Sequence, residues 1–149
     1  MHAHLPHQRP PGWGLGIRAG GIWHPILVPR LGYCDFSCNA CGQVCPTGAI
    51  PPLALEEKRL QVIGKAYIDE NRCIPYADDT NCFVCEEMCP LSQKAITLVE
   101  KGSGTGRGHG SGGVQVPVVN RELCTGCGIC EYYCPVGGES AIRVYIPSA

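Results

Sequence analysis

Cys34-Asp-Phe-Ser-Cys38-Asn-Ala-Cys41-Gly-Gln-Val-Cys45-Pro46 contains two overlapping cysteine spacings. Its first three cysteines read CxxxCxxC, and its last three with the proline read CxxCxxxCP. The two spacings imply different chemistry, and the rest of the chain decides between them.

Working outward, the 12 cysteines fall into three blocks of four. They are Cys34, Cys38, Cys41 and Cys45; then Cys73, Cys82, Cys85 and Cys89; then Cys124, Cys127, Cys130 and Cys134. Each block ends in CxxxCP, whereas the first gap varies from three to eight to two residues. Ile68-Asp69 precedes Cys73 as Val119-Asn120 precedes Cys124, so these two cysteines hold the same position in two copies. The stretch from Ile74 to Asn81 then contains an insertion. Ala49-Ile50, Ala95-Ile96 and Ala141-Ile142 follow the three CP pairs, which makes this an internal repeat carried by more than cysteines. The CxxxCxxC of the first block is therefore one variant of a repeat. A radical S-adenosylmethionine enzyme, which shares that spacing, is disfavoured further because 149 residues are too few for a barrel of eight βα units, which needs roughly 200 or more.

Composition narrows the field. Net charge is -1 and 17% of residues are charged, so no broad basic face points to nucleic acid. No apolar run approaches the ~20 residues of a membrane helix. Against 12 cysteines stand only 2 Phe, 2 Met and 2 Trp, a thin core that calls for staples. Disulfides would suit a secreted chain, but the N-terminus lacks the charged, apolar and small-residue regions of a signal peptide. Zinc sites usually join two CxxC-like knuckles a dozen or more residues apart, whereas here three ligands crowd together before CP. Iron-sulfur clusters fit best. Three cysteines at CxxCxxC wrap one face of a cubane and aim backbone N-H groups at its sulfurs, and in the bacterial two-cluster run the fourth cysteine ligates the other cluster. Proline after that cysteine helps end the helix.

The coarse structure expected is α+β, a ferredoxin-like repeat of short strands, hairpins and short helices. Strands are expected over 66–68, 96–99, 114–119 and 142–146, with one or two helical turns starting near the third cysteine of each block and stopping soon after CP. Four segments are expected. Residues 1–30 form a Pro/Gly-rich N-terminal segment, 31–101 a two-motif ferredoxin-like unit, 102–113 a Gly-rich flexible hairpin tip and 114–149 a third motif unit. The glycines of 102–113 precede no helical pattern and so give only a weak phosphate-binding signal.

The run from Val28 onward, including VPRLGYCDFSCNACGQVCPTGAIPPLALEEK, AYIDENRCIPYADDTNCFVCEEMCPLSQKAI and CTGCGICEYYCP, resembles the ferredoxin-type polyferredoxins of methylamine utilisation and periplasmic nitrate reduction. The resemblance implies single-electron transfer through several 4Fe-4S clusters, beside redox partner proteins such as a membrane-bound quinol-oxidising complex. Relatives commonly carry a further CxxCxxCxxxCP motif upstream, whereas residues 1–33 contain no cysteine. The two central motifs of four-motif relatives form one two-cluster unit. Carried over, that implies Cys34, Cys38, Cys41 and Cys89 around cluster 1, and Cys73, Cys82, Cys85 and Cys45 around cluster 2. Cluster 3 is left with Cys124, Cys127, Cys130 and Cys134, the last as an open question, and it is expected to be the labile one.

The expected function is thus an electron carrier with up to three 4Fe-4S clusters, no catalytic residue and no nucleic-acid partner. An electron-relay subunit of a larger oxidoreductase is the alternative, and a structural zinc module a remote one. A cytoplasmic or membrane-associated location is expected, since no Arg-Arg pair near the start signals twin-arginine export, with a periplasmic location for a longer chain. His2, His4 and His7 are expected to be solvated tail rather than metal ligands. Asp78 and Asp79 read as solvated loop rather than as a docking or tuning device. Tyr132 and Tyr133 are expected to shield a cluster from water.

Overall fold

The computed structural model describes residues 27–101 and 113–145. His2, His4 and His7, and most of the glycine-rich 102–113 stretch, lie outside the described residues. The architecture is α+β, with five short helices and four strands in the described residues. Helix α1 is Ala40–Val44, α2 Leu55–Leu60, α3 Ile74–Ala77, α4 Val84–Glu87 and α5 Ile129–Tyr133. Strand β1 is Lys65–Ile68, β2 Ile96–Glu100, β3 Gln115–Val119 and β4 Ile142–Tyr145. The strand expectations hold to within a residue, and the expected end of the last strand at residue 146 lies outside the described residues.

Two antiparallel ribbons are built by exchange between the second and third repeats. Strand β1, ahead of the second block, pairs with β4, which follows the third, in the register Ala66↔Val144 and Ile68↔Ile142. Strand β2, after the second block, pairs with β3, ahead of the third, with Ile96 opposite Val119. The repeat signature noted in the sequence makes the matching joints. The Asp69 amide donates to the Ala141 carbonyl and the Asn120 amide to the Ala95 carbonyl, each at 2.7 Å. The carboxylate of Asp69 and the side-chain oxygen of Asn120 each accept from the amide two residues on, a tight turn that launches the cysteine loop. The expected boundary between 31–101 and 114–149 therefore runs through the middle of both ribbons.

The core is small and partly made of thiols: Ala66, Ala95, Ile96 and Ile142 are buried together with Cys85, Cys124 and Cys130. Burying each isoleucine stabilises the fold by roughly 1.5–3 kcal/mol, which leaves a core this thin dependent on what its thiols hold.

Helices α1, α4 and α5 begin just before the third cysteine of each block, as expected, but end before the fourth cysteine instead of after CP. The residue preceding proline is pushed out of the α region. Cys45 and Cys134 accordingly have ψ of 109° and 123°. Helix α2 was not anticipated. Its acidic Glu56 and Glu57 come first and its basic Lys58 and Arg59 last, the order that suits the helix dipole, and Glu57 reaches back to the Ala54 amide at 3.3 Å. In the insertion, α3 is clamped rather than solvated: Lys101 Nζ donates to the Tyr76 carbonyl and to Asp79, both at 2.7 Å, and the Tyr76 hydroxyl donates to the Pro117 carbonyl. Asp79, read from the sequence as solvated loop, is partly exposed and also pairs with Lys101.

The first block takes no part in either ribbon. After its Ala49-Ile50 come Pro51 and Pro52, which cannot donate to a ladder. The chain instead folds back over α1, where a side chain at Gly42 would lie 2.4 Å from the Pro51 carbonyl.

Candidate iron-sulfur sites

All twelve cysteines carry free thiols, and eleven of them gather into three places, with Cys45 apart. In the first, here site C, Cys73, Cys82 and Cys85 line an apolar cavity together with Cys134. In the second, site B, Cys124, Cys127 and Cys130 line another with Cys89. Each site takes three thiols from one cysteine loop and the fourth from the end of the other loop's helix. Site A holds Cys34, Cys38 and Cys41, whose thiols are electrostatic neighbours.

This grouping of thiols differs from the pairing expected from the sequence. Cys89 was expected with the first block and lies with the third; Cys45 was expected with the second block, whose fourth position is taken by Cys134. Cys134, left open as the fourth ligand of cluster 3, lines the cavity of the second block instead. Helices α4 and α5 pack against each other, and the cysteine that follows each one lines the cavity of the opposite loop.

Backbone geometry shapes each loop. The loop from Cys124 to Cys130 turns at Gly126 and Gly128, with φ of +77° and +84°. A side chain at Gly126 would lie 2.4 Å from the Gly64 backbone, so only glycine lets the loop pack there. The Ile63 amide and the Lys65 ammonium hold the carbonyls of Thr125 and Cys124 at 2.9 Å each, and the Ala66 amide donates to the Cys124 Sγ at 3.4 Å. That last bond is of the kind that stabilises a thiolate bound to iron.

The thiols themselves are held back from ionising. Burial pushes Cys85 up to about 12, with Cys73, Cys82 and Cys134 adding to the effect. Burial likewise raises Cys73 and Cys127 to about 11 each and Cys130 well above the ordinary thiol value. Buried thiols crowded around an apolar cavity are a poor anion site by themselves and a good donor set for a cationic metal, whose binding releases their protons. They line the walls of a cavity; among the described residues no three His, Cys, Asp or Glu groups are placed to chelate a single ion. The donor set and its spacing fit a cluster-sized cofactor.

Cys45 differs. The Thr47 hydroxyl, 3.5 Å from its Sγ, together with nearby backbone amides brings its thiol down to about 7, and it is partly exposed. Site A adjoins site B, because the Cys34 amide donates to the Cys127 carbonyl at 2.8 Å and the two thiols sense each other. Sites B and C adjoin in turn through Cys130 and Cys85. Tyr132 and Tyr133 are 40% and 44% exposed and pack on Tyr33, with ring centroids 5.1 and 5.9 Å away, so they cover the seam between the first block and α5 rather than a cavity interior.

Two exchanged cysteine loops, each closed by the other's helix, define an iron-sulfur protein of the two-cluster ferredoxin type. The 4Fe-4S dicluster domain model matches residues 33–91 and 80–138, and the chain belongs to that family. It is 38% identical over 125 residues to the methylamine utilization ferredoxin-type protein MauM of Methylobacillus flagellatus, covering 80% of this chain and 50% of that protein. It is 34% identical to the ferredoxin-type protein NapG of Haemophilus influenzae, covering 80% of this chain and 42% of that protein, and 34% identical to NapG of Escherichia coli, covering 87% and 53%. The chain spans about half the length of these curated relatives. The expected cofactor, a 4Fe-4S cluster, is the one that the family's description names. Among the described residues no helix is long and apolar enough to cross a membrane.

Proposed function

We propose that the chain is an electron carrier that relays single electrons between redox partner proteins and performs no bond chemistry of its own. The observation that carries this reading is the exchange of Cys89 and Cys134 between the two four-thiol sites. When bound, a 4Fe-4S cluster supplies a reversible one-electron couple. The chain's residues do the rest. Cys73, Cys82, Cys85 and Cys134 would hold one cluster, and Cys124, Cys127, Cys130 and Cys89 a second. Ile68, Pro75 and Ile142 exclude water around the first and Ala66, Ile96 and Val144 around the second. Cys34, Cys38 and Cys41 offer three thiols at site A.

The adjacency of the sites orders them A, B, C, with B in the middle, so partners would exchange electrons at A and C. The similarity to the ferredoxin-type proteins MauM and NapG supports redox partner proteins; a membrane-bound quinol-oxidising complex as one of them, and a cytoplasmic or membrane-associated setting, belong to the same proposal. A second reading, a relay subunit of a larger oxidoreductase, is favoured by Cys45, whose partly exposed thiol leaves it available to a neighbouring subunit.

Anaerobic reconstitution tests the proposal. The protein should turn brown, bleach with dithionite and bind about eight irons at sites B and C together, at about four per cluster. Colourless, stoichiometric zinc binding that excludes iron would overturn it.

A further inference from the structure

Helix α5, Ile129–Tyr133, ends just ahead of Cys134 and Pro135. The carbonyl of Glu131 would ordinarily accept from the amide four residues on, but that residue is Pro135, which has no N-H. A donor from a different part of the chain reaches this end of the helix. Arg30 Nη1 donates to the Glu131 carbonyl at 3.1 Å and to the Cys134 carbonyl at 2.8 Å, and its Nη2 donates to the Val136 carbonyl at 2.6 Å. Cys134 and Val136 both line the site C cavity. One guanidinium therefore grips the backbone on either side of the thiol that closes site C.

Arg30 is itself held in place. It lies in a turn in which the Leu31 and Gly32 amides both donate to the Val28 carbonyl, and neighbouring Pro29 sits against Gly128 at the start of α5. The side chain is partly buried, so its charge is only partly screened. A fixed cation beside a redox site favours the state carrying the extra electron, and net charge and hydrogen bonding are among the levers on cluster potential.

We propose that Arg30 is the positioning residue of site C. Its planar fork fixes the backbone that delivers Cys134, and its charge raises the potential at which site C accepts an electron. The inference rests on the cluster-bearing reading above and adds a tuning residue from outside the exchanged pair of motifs.

The test is a potentiometric titration followed by electron paramagnetic resonance on the anaerobically loaded full chain, with the site C signal assigned by its loss in Cys82→Ser. In Arg30→Gln the reduced-to-oxidised ratio of site C at a fixed potential should fall about tenfold, a downward shift of about 59 mV for a one-electron couple. Site B should shift by less than a third of that. Arg30→Lys should recover at least half of the shift, because the charge returns, while its site C signal stays altered, because an ammonium cannot replace the fork.

An unchanged site C potential in Arg30→Gln, with only a lower melting temperature, would overturn the proposal, and so would equal shifts at B and C. If Arg30→Gln fails to load, Arg30→Lys decides: a shifted site C signal supports the positioning role, and a signal and potential identical to wild type defeat it. A wild-type chain that takes up no cluster would refute the functional reading itself, an outcome distinct from all of these.

Discussion

Cys73 and Cys134 belong to different cysteine blocks and line the same cavity. The reciprocal pair, Cys89 and Cys127, does the same in the other site. This exchange ties the two repeats together through their thiol-lined cavities as well as through their strands.

Its first consequence is a crossed phenotype. Cys134→Ser should damage the cluster held by Cys73, Cys82 and Cys85, and Cys89→Ser the one held by Cys124, Cys127 and Cys130. Mössbauer or paramagnetic resonance spectra of each variant, read against Cys82→Ser and Cys127→Ser, identify the damaged site. Damage confined to each cysteine's own block would contradict the arrangement.

The loop glycines should differ sharply in tolerance. Gly126→Ala places a side chain 2.4 Å from the Gly64 backbone at a φ of +77°, whereas Gly48→Ala, at +66°, meets nothing within 4 Å. The conformational cost is about 1–2 kcal/mol for both. For Gly126→Ala the clash adds to it, and loss of the site B cluster on anaerobic loading is expected. Gly48→Ala should load normally and melt only a few degrees lower. Equal behaviour of the two variants would mean that Gly64 does not constrain the loop.

Cys45 stands apart from the eight cysteines of sites B and C. Brief treatment of the loaded chain with iodoacetamide, followed by peptide mapping, should label Cys45 first and leave Cys85 and Cys130 untouched. Early labelling of Cys134 instead would count against the exchanged ligand set.

A pH effect is expected at a tyrosine pair as well. The Tyr145 hydroxyl is pushed up to about 12, chiefly by burial and then by its hydrogen bond with the Tyr67 hydroxyl at 2.7 Å. Tyrosine in the unfolded chain ionises near pH 10. The neutral form is thus favoured by the fold; its contribution to stability is complete below about pH 10 and is lost as pH rises toward 12. Carbon-13 NMR of labelled tyrosine should show Tyr145 titrating late in the wild type and earlier in Tyr67→Phe. No change in that variant would assign the shift to burial alone.

Much of this was legible in the sequence. The CxxxCP endings, the polar residue four places before Cys73 and Cys124, and the Ala-Ile pairs located the loops and all four strands, because each is set by local chemistry: ligand spacing, an Asx turn, an apolar run. Which blocks join was decided only in three dimensions. The three CxxCxxxCP units are locally alike, and strand pairing is a property of distant segments. One local signal did bear on it. Pro51 and Pro52 follow Ala49-Ile50, whereas Ala95-Ile96 and Ala141-Ile142 open β2 and β4. Without N-H groups to donate there, the first block could not supply an exchanged strand, and the second and third were left to complete each other. The Arg30 bonds to the end of α5 had no such signal. They span more than a hundred residues of chain, and only the folded backbone brings a guanidinium to the three carbonyls around the end of α5.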